Sequence, residues 1–84
     1  MTRHECNRII DRIFNLKYKY KSELNNTDDI YTASSFVRNL GFGEYSVRID
    51  VYKNGIIIKG SRDVETVEEA EDAFYNILKY NKVL

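Results

Sequence analysis

Apolar residues near the start of the chain recur every three or four positions, which is the spacing of one face of an α-helix. Thr2 and Glu5 stand three residues apart just before this stripe. That order is typical of a capping box, in which each side chain satisfies a backbone N–H of the first turn. We therefore predict a first helix beginning at Thr2. Its apolar stripe comprises Cys6, Ile9, Ile10, Ile13, Leu16, Tyr20 and Leu24.

The segment 16–24 also fits a second pattern, because residues 16–21 alternate apolar and basic side chains with a period of two. Such alternation is typical of a half-buried strand. The helical stripe continues in phase to Leu24, so we favour a helix. A strand at 16–24 stays open as the alternative.

A turn followed by a second helix is predicted at 25–27, where Asn26 or Thr27 would provide the N-cap. Gly41 would end this helix, since glycine adopts the left-handed conformation at a helix C-terminus without strain. Phe42 would fold back on the last helical turn. The stripe that supports this helix consists of Ile30, Ala33, Val37 and Leu40, with Phe36 beside it.

The clearest predicted element is a β-hairpin that begins with the alternating segment 45–52. Asn54 and Gly55 are the favoured pair for a two-residue type I′ turn, and a strand over 56–60 would return. The hairpin would pair Val51 with Ile58, Tyr52 with Ile57, and Asp50 with Lys59. Its core face would consist of Val47, Ile49, Val51, Ile56 and Ile58.

A last helix is predicted after a second capping box formed by Thr66 and Glu69. Together the elements predict one small α+β domain over 1–84, in the order helix–helix–β-hairpin–helix. The helices would form a single layer on one face of a short antiparallel sheet. The last helix would bury Val67, Ala70, Ala73, Phe74, Ile77 and Leu78.

Charge is balanced overall but uneven along the chain, which has 13 basic and 13 acidic residues among its 84. Residues 1–21 carry six basic and two acidic side chains, whereas residues 63–84 carry two basic and six acidic ones. We expect the basic first helix and the acidic last helix to lie side by side. The alternative is a dipolar molecule whose two faces steer separate partners.

Candidate chemistry is sparse, so we expect no enzyme activity, cofactor or metal site. His4 and Cys6 lie two positions apart on a helix and point in different directions, so they do not form a catalytic pair. The acidic residues of 65–72 fall at a helix start, where they suit the helix dipole. No apolar run is long enough to span a membrane. A cytoplasmic protein is the expectation.

The function that the residues favour is binding to another protein. Tyrosines on the exposed sheet face and acids on the last helix would provide the contacts, and a free strand edge would allow pairing with a second copy as a homodimer. The candidate partner-binding residues are Tyr45, Tyr52, Glu68, Glu69 and Asp72.

Binding to nucleic acid is the alternative function, since lysines interleaved with tyrosines near 17–21 suit phosphate contact and base stacking. The candidate nucleic-acid-binding residues are Arg8, Arg12, Lys17, Lys19 and Lys21.

In size and character, with its acidic segment 65–72 and its tyrosines, the chain resembles phage-encoded inhibitors of bacterial defence, including anti-CRISPR proteins. The resemblance implies a non-enzymatic regulator or inhibitor. Such a protein would occupy the surface of a nucleic-acid-processing enzyme such as a CRISPR nuclease.

Overall fold

The computed structural model describes residues 2–25, 28–58 and 62–84. Within these ranges helices and an antiparallel sheet form an α+β fold, as predicted. No helix among the described residues is long and apolar enough to cross a membrane. The elements are α1 (Arg3–Lys19), α2 (Lys21–Leu24), β1 (Tyr31–Gly41), β2 (Glu44–Lys53), β3 (Ile56–Ile57), β4 (Arg62–Val64) and α3 (Val67–Tyr80).

The first helix begins with the predicted capping box, since the hydroxyl of Thr2 accepts from the backbone N–H of Glu5 and the Glu5 carboxylate reaches back to Thr2. Helix continues through 16–24 as α1 and α2, with only a break at Tyr20. Leu16 and Leu24 are both buried. The helical prediction for 16–24 is therefore confirmed, and the strand alternative is wrong because the 3.6-residue stripe, not the alternation, buries the apolar side chains.

The second predicted helix is wrong, because Tyr31–Gly41 forms the strand β1. Its inward side chains recur every second residue, with Tyr31 and Ala33 buried and Val37 half-buried. The polar residues of this segment have low helix propensity; they are Thr32, Ser34, Ser35 and Asn39. Pairing with β2 therefore outweighs the helical stripe. The proposed cap at Asn26 or Thr27 lies outside the described residues.

The sheet is organised around β2, which pairs with β1 on one edge and with β3 and β4 on the other. The predicted pairing of Tyr52 with Ile57 is confirmed, and the N–H of Ile58 donates to the Val51 carbonyl at 2.9 Å. β3 is shorter than the predicted return strand. The pairing of Asp50 with Lys59 involves a residue outside the described ranges.

One face of the sheet is the core, where Val47, Ile49 and Val51 are fully buried, as predicted. Ile58 is half-buried, but Ile56 is 72% exposed. The prediction for Ile56 is wrong because it lies opposite the exposed Lys53, in the last pair before the turn.

The helices α1 and α3 pack side by side on this core face. Phe74 of α3 is fully buried, and Tyr20 stacks on it with 6.3 Å between ring centroids. Arg12 Nε donates to Glu71 Oε1 at 2.5 Å across the helix pair. The basic and acidic helices thus lie together, as the charge distribution indicated.

The last helix begins with half of the predicted capping box. The Thr66 hydroxyl accepts from the N–H of Glu69 at 3.0 Å. The Glu69 carboxylate, however, accepts from the N–H of Glu65 at 3.0 Å, one residue before the cap. The side chain therefore fixes the approach to the helix as well as its first turn.

Asn54 holds the turn between β2 and β3 in place, and its replacement should destabilise the fold. Its Oδ1 accepts from the N–H of Ile30 at 3.0 Å, its Nδ2 donates to Asp29 at 3.1 Å, and its φ is +52°. We expect Asn54→Ala to lower the free energy of unfolding by about 1–3 kcal/mol in urea denaturation. Asn54→Gly keeps the turn conformation and should lose less; equal losses would show that the backbone conformation contributes nothing.

Candidate protein-binding surface

The helices cover one face of the sheet and leave the other open. Side chains alternate along each strand, so residues opposite one another in the register share a face. The even-numbered residues of β1 and β2 therefore point away from the helices. The open face comprises Thr32, Ser34, Phe36, Arg38, Ser46, Arg48, Asp50 and Tyr52, with Ile57 and Asp63 from the neighbouring strands.

Ion pairs between residues of the open face cover part of it. Arg38 Nη1 of β1 contacts Asp63 Oδ2 of β4 at 2.7 Å and so reaches across β2. Ser46 lies opposite Arg38 on β2 and is 2% exposed, and its hydroxyl has no hydrogen-bond partner among the described residues. Arg48 Nε contacts Asp50 Oδ1 at 3.0 Å. These charges already have partners and leave little for a ligand.

Apolar side chains occupy the remainder of the open face. Phe36 on β1 is 48% exposed and Ile57 on β3 is 50% exposed, at opposite edges of the sheet. Tyr52 lies opposite Ile57 and is half-buried. This part of the face offers separate apolar contacts rather than one continuous patch.

The most exposed large apolar residue among those that the structure describes lies at the tip of the β1–β2 hairpin. Phe42 and Gly43 form a two-residue turn with φ of +53° and +75°. The Phe42 side chain is 106% exposed, which means that it contacts almost nothing, and Leu40 beside it is 52% exposed. The expectation that Phe42 folds back on a helical turn is therefore wrong.

The conformation of Phe42 is unfavourable for its residue type. Both central residues of a type I′ turn need positive φ, which favours Asn, Asp and Gly. The second hairpin of this chain obeys that preference, with Asn54 at +52° and Gly55 at +85°. Left-handed backbone costs about 1–2 kcal/mol for an ordinary L-residue. Phe42 thus combines backbone strain with a ring in water, and residues of that kind cluster at binding sites.

The tip stands clear of the rest of the sheet. Beyond Val47, where the pairing between β2 and β4 ends, β1 and β2 pair only with each other. The molecule is accordingly elongated, with extents of 44 × 22 × 17 Å. A partner can therefore approach Phe42 without meeting β4.

The five predicted partner-binding residues are not brought together. Tyr45 and Tyr52 lie on opposite faces of β2, and Arg3 covers the Tyr45 ring with its guanidinium carbon 6.0 Å from the ring centroid. Glu68, Glu69 and Asp72 are exposed on α3, and the Glu69 carboxylate already accepts from the N–H of Glu65 just before the helix. They form an acidic face separate from both tyrosines.

The five candidate nucleic-acid-binding residues do not form a uniform basic surface. Arg12 pairs with Glu71, and Lys19 Nζ lies 5.4 Å from the Tyr20 ring centroid. Arg8 lines a cavity of about 180 Å³ together with the acidic residues Glu5, Glu65 and Glu68. Lys17 lines a groove on another side of α1, and Lys21 begins α2.

His4 and Cys6, the two side chains considered above as a catalytic pair, also lie apart. Cys6 is buried in the core, whereas His4 is exposed on the same helix. The described residues hold no cluster of three or more His, Cys, Asp or Glu residues that could bind a metal ion.

The sequence pattern does not identify Phe42, because the predicted helix end at Gly41 hides the hairpin turn that follows it. The usable signal is the pair Phe42-Gly43, which stands between the evenly spaced Tyr31, Ala33 and Val37 and the alternating segment 45–52. A two-residue turn of this kind predicts a hairpin even when its first residue is atypical.

Comparisons with protein-family models, curated proteins and solved structures find no match to this chain.

Relieving the strain at the tip should stabilise the protein. We expect Phe42→Asn to raise the free energy of unfolding by about 1 kcal/mol, because asparagine tolerates the left-handed conformation. Phe42→Ala keeps the strained backbone and should change stability by less than about 0.5 kcal/mol. Urea denaturation measures both; a destabilising Phe42→Asn would mean that the ring supports the fold.

Proposed function

We propose that this protein is a non-enzymatic regulator or inhibitor that acts by protein–protein contact, with the Phe42 hairpin tip inserted into an apolar pocket of its partner. One observation carries the proposal: a fully exposed phenylalanine stands at a strained turn of the hairpin. Stability alone disfavours this arrangement, whereas binding provides a reason for it.

The energetics of binding suit such a tip. Burial of a phenylalanine side chain contributes about 1.5–3 kcal/mol. Aromatic anchors that fill a pocket dominate many interfaces. The hairpin ladder also holds the turn in one conformation before binding, so that little chain entropy is lost on association. Leu40 would widen the apolar contact around the anchor.

The resemblance to phage-encoded inhibitors of bacterial defence suggests the partner class to test first, a nucleic-acid-processing enzyme such as a CRISPR nuclease. The exposed acids Glu68 and Asp72 lie four residues apart on one face of α3. Such a face suits a protein surface that ordinarily contacts phosphates. It would add electrostatic steering to the apolar anchor.

Photo-cross-linking tests the proposal directly. Benzoylphenylalanine replaces Phe42 in the full chain, and in a control it replaces Ile56, which is 72% exposed beside the other two-residue turn. We expect one cellular protein to cross-link through position 42 and not through position 56, with or without nuclease treatment. Equal cross-linking at both positions would overturn the assignment of the tip. Recovery that collapses with nuclease would favour binding to nucleic acid through the basic residues of α1.

Once the partner is identified, its affinity provides a quantitative prediction. We expect Phe42→Asn to weaken binding at least about tenfold, as loss of a central aromatic anchor does, although the same variant is more stable. Ile56→Asn serves as the matched control and should bind like the wild type in calorimetry. Unchanged affinity of Phe42→Asn would reject the tip as the anchor.

Removing the acidic face should slow association with a basic partner. We expect the double variant Glu68→Lys and Asp72→Lys to lower the association rate at low salt, with a smaller effect at high salt. Stopped-flow binding measures both conditions. An association rate that does not change at low salt would show that α3 plays no part in steering.

A further inference from the structure

Two aromatic side chains of α1 lie in solvent, outside the stripe that the helix buries. Phe14 is 69% exposed and Tyr18 is 77% exposed. They stand four residues apart, so they are neighbours on one helix face, about 6 Å apart along the axis. Neither ring stacks on another ring or on a cation among the described residues. Both rings therefore keep a flat apolar face available to a ligand.

Two lysines form a second row beside these rings. Lys17 follows Phe14 by three residues, a spacing that makes them neighbours on the helix surface. Lys21 stands in the same relation to Tyr18. Neither lysine forms an ion pair with a carboxylate of the described residues. The four residues Phe14, Lys17, Tyr18 and Lys21 are called the aromatic–lysine patch below.

The acidic residues of α1 and α2 nearest to this patch border other surfaces. Asp11 lies three residues before Phe14, but it lines a groove on the side of α1 that faces Val67 of α3. Glu23 lies two residues after Lys21, and side chains at that spacing do not share a helix face. The patch thus carries two positive charges with no carboxylate among them, although the whole chain has no net charge.

A groove between α1 and β1 adjoins the patch. Phe14 and Lys17 line its helix side, Ser34 and Ser35 line its strand side, and its volume is about 300 Å³. The rest of its lining is apolar and comprises Ile10, Ile13 and Ala33. Ammonium and hydroxyl groups donate to phosphate oxygens, whereas aromatic and apolar surface accepts a base. The groove therefore offers both kinds of contact that a nucleotide needs.

We propose that single-stranded nucleic acid binds along the aromatic–lysine patch, with bases stacked on the two rings and phosphates held by the two lysines. Unpaired bases expose the faces that stack on aromatic side chains, whereas the bases of a duplex stack on one another. A polyanion pairs with both lysines at once. An apolar protein pocket that enclosed the rings would instead take both ammonium groups out of water without a partner, which costs free energy.

The structure selects different aromatic residues from those that the alternating sequence pattern places between the lysines. Tyr20 is half-buried and stacks on Phe74 of the core, so its ring is not available to a base. Phe14 replaces it, because the helical spacing brings Phe14 beside Lys17.

The aromatic–lysine patch and the hairpin tip lie toward opposite ends of α1. Arg3, at the start of the helix, covers the ring of Tyr45, three residues after Phe42. Lys17, near the end of the helix, adjoins Ser34 and Ser35 instead. Both surfaces can therefore be occupied at the same time, and the inference does not depend on the proposed function.

Fluorescence anisotropy of the full chain with labelled oligothymidylate and oligouridylate, each about 15 nucleotides long, tests the proposal. Binding to either strand supports it, and the tighter one distinguishes DNA from RNA. We expect Tyr18→Ala to weaken binding at least about fivefold, since stacking of a base on one aromatic ring contributes that much or more. The matched control is Tyr80→Ala, because Tyr80 is 71% exposed beside Lys79 but lies on the acidic helix α3. It should bind like the wild type.

The salt dependence of the affinity tests the lysines. The double variant Lys17→Gln and Lys21→Gln should flatten the slope of log affinity against log salt by about 1.4, because each phosphate contact on a single strand contributes about 0.7. The matched control is Lys79→Gln with Lys82→Gln, which removes the same charge near the end of α3 and should leave the slope unchanged. Urea denaturation checks that all variants fold.

Absence of binding to both single strands at low salt would overturn the proposal and leave the patch as a contact for protein. So would duplex DNA that binds as tightly as the single strands, or an equal loss of affinity in Tyr80→Ala. Phe42→Asn should bind the oligonucleotides like the wild type, so this inference and the proposed function fail in separate experiments.

Discussion

The central strand β2 imposes the constraint on which the remaining structure depends. It buries Val47, Ile49 and Val51 on one face, and both of its edges must find hydrogen-bond partners. The helices satisfy the first requirement by packing Phe74 and the α1 stripe over that face. The hydrogen-bond partners at the two edges come from β1, which pairs along the full length of β2, and from the short strands β3 and β4 on the other side. A helix at 28–40 would have left one edge of β2 unpaired.

The sequence predicted elements whose signals are local. The capping box of Thr2 and Glu5 and the turn at Asn54 and Gly55 each depend only on neighbouring residues. Both features occur where the sequence predicts them. The helix prediction for 28–40 is wrong because Ala33 and Val37 are four residues apart, a spacing that fits one face of a helix and one face of a strand equally well. Only the pairing with β2, which is a long-range contact, decides between the two.

The candidate site was predicted less well than the fold. Tyr52 and the acids of α3 are exposed or half-exposed, as expected, but Tyr45 lies on the core side of the sheet. Residues 45 and 52 differ by an odd number, so the alternation that puts Val47, Ile49 and Val51 on the core face already puts Tyr45 there and Tyr52 on the other face. The exposure of Phe42 followed from β1 being a strand, so the same error concealed the tip.

Cys6 is the one thiol of the chain, and it is completely enclosed beneath the first turns of α1. An alkylating reagent reaches it only when that helix separates from the sheet. The rate of alkylation in native buffer therefore measures how often the core opens, without an introduced label. Every variant of this protein carries that reporter, so the thermodynamic and dynamic effects of a substitution are accessible in the same sample.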